Sequence, residues 1–175
     1  TNGLSHTDIL YLGAGAMVRD SDIDGSGSPS SSPARAGINT STDGGYTIER
    51  VKVNGVEVGI VGDSNGPGVI RNSLINADQS VNGNHNDGYT RRAGTGDVTI
   101  SGSRLIVNVP GMTTGAFFLQ DTWQQPIANV HLKDSIVEGL GYPLTLENHG
   151  SGTSVSLNNV RVSVYNSPDG YGPLA

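Results

Sequence analysis

A short unit of apolar, turn and apolar residues recurs six times along the chain, and it restricts the possible fold more than any single motif. Each copy carries an apolar residue, a polar or turn-forming residue two places later, often a Ser next, and a second apolar residue five places after the first. The copies open at Val18, Ile48, Ile70, Ile100, Leu132 and Leu157 and close at Ile23, Val53, Ile75, Leu105, Val137 and Val162. Their intervals of 30, 22, 30, 32 and 25 residues suit a solenoid, in which strands are fixed and loops absorb insertions. A heptad or helical repeat would not tolerate that spread. The turn position reads Asp20, Arg50, Asn72, Gly102, Asp134 and Asn159. All but the Arg tolerate a left-handed or tight-turn backbone, which lets one strand end and another begin at an angle within two residues.

A second series of strand-like triplets lies between these units, opening at Ile9, Ile38, Ile60, Tyr89, Phe117 and Leu144, with small residues at Gly37, Gly59, Gly88 and Ala116 before several of them. Placing the opening residues inward builds one apolar stack and turns Leu10, Asn39, Val61, Thr90, Phe118 and Thr145 outward. Arg91 then points inward, which implies a bulge or a shorter strand at that coil. One coil cannot bury its apolar face alone, whereas coils stacked ~4.8 Å apart bury it and pair their backbones. The expected fold is all-β, a single solenoid of about six coils over residues 1–175. An antiparallel sandwich would need turn signals every ~8–12 residues, and the links here are longer and unlike hairpins.

Composition agrees. Hydrophobic residues make up 34% of the chain, charged residues 15%, and there are 26 Gly, a balance hostile to helix interiors. The net charge of −6, with Arg91-Arg92 the one adjacent basic pair, argues against nucleic acid as a partner. Without cysteine there is neither a disulfide framework nor a thiolate metal site. No apolar run approaches the ~18 residues of a membrane span, and no charged segment precedes an apolar stretch as in a signal peptide. A first residue of Thr leads to the expectation that the chain is part of something longer.

The repeated pattern of the type Ile70-Arg71-Asn72-Ser73-Leu74-Ile75, together with Asn84-His85-Asn86-Asp87-Gly88-Tyr89-Thr90, resembles the right-handed parallel β-helix proteins of the pectate-lyase-like class. That class includes polysaccharide lyases, hydrolases and epimerases, and the tailspikes and tail or decoration proteins of phages. The resemblance implies a right-handed coil, a polysaccharide or cell-surface glycan as partner, and an extracellular or virion-associated setting. Such proteins usually begin with a helix that caps the first coil. None is legible between Thr1 and Ile9, so the ends are expected to be open, with the chain embedded in a longer polypeptide or a homo-oligomer. Leu10, Val61 and Phe118, if outward, would add an exposed apolar strip for such contacts.

Polar residues beside the second series are the candidates for chemistry. His85, Asp87, Arg92 and Glu147 form the candidate catalytic set, because a carboxylate beside a base or an Arg suits proton abstraction next to a sugar carboxylate or acid–base hydrolysis of a glycosidic bond. Asp63, Thr90, Phe118, Gln120, Asp121, Trp123 and His149 are candidates for substrate binding; Trp123 is the one tryptophan, set in a polar loop where a ring can stack on a sugar. The bland alternative for all of them is a solvated side chain, a ladder or, for Asp87, a turn. Asp20, Asp22 and Asp24 alternate as calcium ligands can, but twelfth from Asp20 stands Ser31 in place of a bidentate Glu, and no cofactor is expected. Two functions remain open: a polysaccharide-interacting β-helix that binds and could also depolymerise a glycan, or a structural or adhesive module of a virion or cell surface without catalysis.

Overall fold

The computed structural model describes residues 7–28, 33–41, 43–80, 85–109, 115–120, 127–140, 142–147 and 154–164. Among them all regular structure is β: β1 (Leu10–Tyr11), β2 (Ala16–Asp24), β3 (Ala34–Asn39), β4 (Tyr46–Val61), β5 (Gly68–Arg71), β6 (Leu74–Ala77), β7 (Asp87–Arg91), β8 (Val98–Ser101), β9 (Arg104–Val107), β10 (Phe117–Gln120), β11 (Val130–Gly139), β12 (Leu144–Glu147) and β13 (Val155–Val164). Every described pairing is parallel, and the strands wind into a solenoid of about five turns. No described helix is long and apolar enough to cross a membrane.

The strands fall into three columns along the axis. One column runs β1, β3, the end of β4, β7, β10 and β12. A second runs through the starts of β2 and β4, then β5, β8 and the starts of β11 and β13. The third takes the later part of β2, the middle of β4, β6, β9 and the ends of β11 and β13. β4 is long because it passes through all three.

The six repeat units stack as their spacing requires. Val18 lies on Ile48, then Ile70, Ile100, Leu132 and Leu157 follow in register. Ile48, Ile70, Ile100 and Leu132 are each 0% exposed. Between the second and third columns the chain turns through a left-handed residue, with φ of 51° at Asp20, 52° at Arg50, 53° at Asn72, 56° at Gly102, 47° at Asp134 and 52° at Asn159. Arg50, the residue least suited to that conformation, adopts it as well, and the Asp20 carboxylate one turn away accepts from its Nε at 2.6 Å and its Nη2 at 2.8 Å.

The Ser that follows the turn has a backbone task. Ser73 Oγ accepts the Val51 N–H at 3.1 Å, Ser103 Oγ accepts that of Ser73 at 3.1 Å, and Ser135 Oγ accepts that of Ser103 at 3.2 Å. Each hydroxyl donates in turn to the carbonyl two residues earlier. The corner interrupts the strand ladder, and this serine column satisfies amides that would otherwise be buried without partners.

The first column departs from expectation in three places. Leu10, not Ile9, pairs with Ile38 and packs on the core, while Ile9 is 41% exposed. Arg91 needs neither a bulge nor a shorter strand: it pairs with Leu119 in register and its side chain lies inside the coil. Its Nη2 donates to the carbonyls of Gly94 and Gly96 at 2.7 Å each and meets that of Ser64 at 3.3 Å. Beside it, Tyr89 stacks on Phe117 and fits because Gly62 lies in the turn before; a Cβ at Gly62 would stand 2.3 Å from the Tyr89 hydroxyl. Third, the proposed apolar strip is absent, since Val61 is 8% and Phe118 4% exposed and Leu10 belongs to the interior. The register does turn Val61 and Phe118 outward, but that outer face is covered.

Candidate functional site

The outer face of the first column carries polar groups from several turns. Near the first turns, Asp8 receives both Arg35 Nε and Nη2 at 2.8 Å and Asn39 Nδ2 at 2.6 Å. That bidentate clamp and amide hold the Asp8 carboxyl below its usual range, against the opposing effect of burial. Asp63 accepts the backbone N–H groups of Arg92 at 2.7 Å and Ala93 at 3.2 Å. Through Oδ1 it thus shapes the start of the loop that follows β7.

The candidate catalytic residues gather on the later turns. Asp87 opens β7 opposite Val58 of β4 and is 0% exposed. Neither of its oxygens makes a hydrogen bond of normal geometry among the described residues. Burial pushes its carboxyl up to about 7, and the Arg92 charge, the Gly115 N–H and the Thr90 hydroxyl only partly oppose this. His85, just before it, lies edge-on to Phe118 with ring centroids 5.6 Å apart. Burial lowers the imidazole pKa, Arg92 lowers it further and Glu147 raises it, so the ring is mainly neutral at neutral pH. One turn after β7, Gln120 Nε2 donates to Glu147 Oε2 of the following turn at 2.5 Å, across the in-register pair of β10 and β12.

His85 is therefore within electrostatic reach of Arg92 and Glu147, and Asp87 within that of Arg92, with Gln120 bonded to Glu147. Their access differs. His85 and Glu147 are exposed, Arg92 and Gln120 half-buried, and Asp87 closed off. Thr90, 0% exposed, and Phe118, 4% exposed, are outward in register yet buried. Asp121, Trp123 and His149 lie outside the described residues.

Two features were not anticipated. One is the carbonyl cage around the buried Arg91, beside the buried Tyr46 and Tyr89: the alternation of β7 turns Tyr89 and Arg91 inward, but it does not show that the loop at Gly94 and Gly96 and the earlier turn at Ser64 supply acceptors for the guanidinium. The other is the Asp8–Arg35–Asn39 cluster, spread over 31 residues with no local signal to join it. Among the described residues, no group of three or more His, Cys, Asp or Glu could hold a metal ion. Asp20, Asp22 and Asp24 instead engage Arg50, Lys52 and Asn54 of the next turn.

No family model, no curated protein and no solved structure matches this chain. The fold and side chains define it as a parallel β-solenoid with a polar cluster on one outer face.

Proposed function

We propose that this solenoid binds a polysaccharide or cell-surface glycan along the outer face of its first column, at His85, Arg92, Gln120 and Glu147. The observation that carries this reading is the succession of accessible polar groups at the ends of stacked strands, Arg92 just past β7, Gln120 closing β10 and Glu147 closing β12, with His85 just before β7. A polymer laid along that axis meets a guanidinium, an amide and a carboxylate on successive turns ~4.8 Å apart, with the donors and acceptors that hydroxyl-rich ligands need. Binding fits the geometry better than cleavage. Hydrolysis needs an acid and a base open to one bond, and Asp87, whose carboxyl suits proton transfer near neutral pH, is sealed.

The test is binding of the chain to a panel of acidic and neutral polysaccharides by calorimetry, with depolymerisation followed in parallel. Arg92→Ala and Glu147→Gln should each weaken binding about tenfold, the loss of one charge-assisted hydrogen bond, and no product should appear. Absence of binding across the panel would overturn the proposal, and cleavage abolished by Asp87→Asn would replace it with an enzymatic one. A second reading, a structural or adhesive module of a virion or cell surface, is favoured by one observation: Leu157, in the last turn, is 45% exposed in a column whose inner members, Ile48, Ile70, Ile100 and Leu132, are sealed.

A further inference from the structure

The two ends of the solenoid are complementary in register. At the last turn, β13 pairs only with β11 and β12 only with β10, so one edge of each strand is free among the described residues. That end shows apolar surface that every inner turn hides, with Leu146 38% and Leu157 45% exposed and Val155, Val160 and Val162 half-buried. At the first turn, β1 and β2 likewise pair on one side, and Leu10, Ala16 and Val18 are half-buried.

Continuing the observed register by one turn sets the first coil of a second copy on the last coil of the first. Leu144 would lie under Leu10 of that copy, Val155 under Ala16, Leu157 under Val18 and Val162 under Ile23, since these residues share columns through the intervening strands; Leu144 and Ile23 are already buried, so the surface newly covered is that of Leu157, Val155, Val162, Leu10, Ala16 and Val18. The outward positions match too. Asp22 heads the column that runs through Lys52 and Arg104 to Arg161, and in that column the next-turn cation already sits 3.3 Å from Asp22. Asp20 heads the column of Asn159, and Asp24 stands level with Ser163 across the same corner. The three alternating aspartates of β2 thus come level with Asn159, Arg161 and Ser163 of β13; within the chain these donate to Asp134 and Glu138, so the amide and the guanidinium keep N–H groups for a second carboxylate and the Ser163 hydroxyl does not.

We infer that copies of this chain stack head to tail, with β1 and β2 of one continuing the columns that end at β12 and β13 of the other. Such a contact uses different surfaces on the two partners and has no two-fold axis, so it propagates as an open filament instead of closing as a dimer. Free strand edges supply the backbone hydrogen bonds, the apolar columns supply the buried area, and the aspartates fix the register. This inference does not depend on the glycan reading, and failure of one leaves the other standing.

The chain has no cysteine, which makes a register test direct. Copies carrying Met17→Cys and copies carrying Ser156→Cys are mixed under mild oxidation; these positions share the Thr47, Val69, Thr99 and His131 column, and adjacent strands fall within disulfide reach. A mixed disulfide is expected for this pair and not for Met17→Cys with Asn158→Cys, two residues out of register. Sedimentation velocity of the unmodified chain should show a mass that keeps rising with concentration, and Arg161→Asp should weaken the association roughly tenfold without changing the circular dichroism. A monomer at all concentrations, a plateau at the dimer, or equal cross-linking of both cysteine pairs would overturn the inference.

Discussion

The corner between the second and third columns and the outer face of the first column belong to the same coils, yet they follow different rules. At the corner each residue meets its own counterpart above and below, so six left-handed residues align and Ser73, Ser103 and Ser135 repeat the same two hydrogen bonds. On the outer face the register is equally strict, but the row Tyr11, Asn39, Val61, Thr90, Phe118 and Thr145 has no shared chemistry. Stacking dictates the first set and leaves the second free to be covered, charged or specialised. Departure from the repeat is thus the mark of the candidate site in this solenoid.

The sharpest way to break the comparison is to put a charge in a repeated column. Ile70→Asp should abolish folding, because an unpaired carboxylate between Ile48 and Ile100 costs several kcal/mol against a total of about 5–15 kcal/mol. The same change at Leu157, 45% exposed, should leave a folded chain. Circular dichroism of both variants decides it: equal outcomes would mean that the end turn is as closed as the inner ones.

A smaller effect belongs to the aperiodic face. Asp87 loses its proton near 3.8 in the unfolded chain and at about 7 when folded. Between those values the unfolded state binds fewer protons, so stability falls as pH rises, and the loss is complete above about pH 7. The shift corresponds to roughly 4 kcal/mol. Asp87→Asn should flatten this slope and make the chain more stable than the parent at pH 8, measured by urea unfolding from pH 4 to 8. A parent curve without that slope would show that the carboxyl is solvated or paired.

What could be read in advance divides along the same line. The opening and closing residues of all six repeats were legible because stacked positions need like residues, and the period survives loops of different length. In Ile9-Leu10-Tyr11 the local pattern offers two adjacent apolar residues and no means to choose between them; pairing with Ile38 selects Leu10. Arg91 looked like an error of register because the carbonyls that receive it belong to a loop that folds back under its own strand, at Gly94 and Gly96, and to the turn before, at Ser64, and a strand pattern carries no sign of either. The burial of Val61, Thr90 and Phe118 depends on what covers the face, such as the His85 ring on Phe118, and alternation within a strand carries no information about that. His85, Asp87, Arg92 and Glu147 could be named, but not that the second of them is sealed.

The smallest effect tests the corner itself. Asn72 and Gly102 occupy successive turns of one column with φ of 53° and 56°, and both residue types tolerate that region for different reasons: Gly has no Cβ, and the short polar side chain of Asn lowers the cost of the left-handed backbone. Asn72→Ala keeps a Cβ and loses that compensation, so it should cost about 1 kcal/mol. Asn72→Gly should change stability by less than about 0.5 kcal/mol, because relief of the left-handed strain is offset by the greater freedom of Gly in the unfolded chain. A Cβ built on Gly102 would stand 2.6 Å from Asn72 Oδ1, a contact that Asn72 can relieve by rotating. Gly102→Ala should therefore cost nearly the same in the parent as in the Asn72→Gly background, since backbone strain dominates. Urea unfolding of the four proteins measures the coupling: a value near zero assigns the corner to φ alone, while a coupling above roughly 0.5 kcal/mol would mean that the side chains of successive turns, rather than the left-handed residue itself, hold the bend.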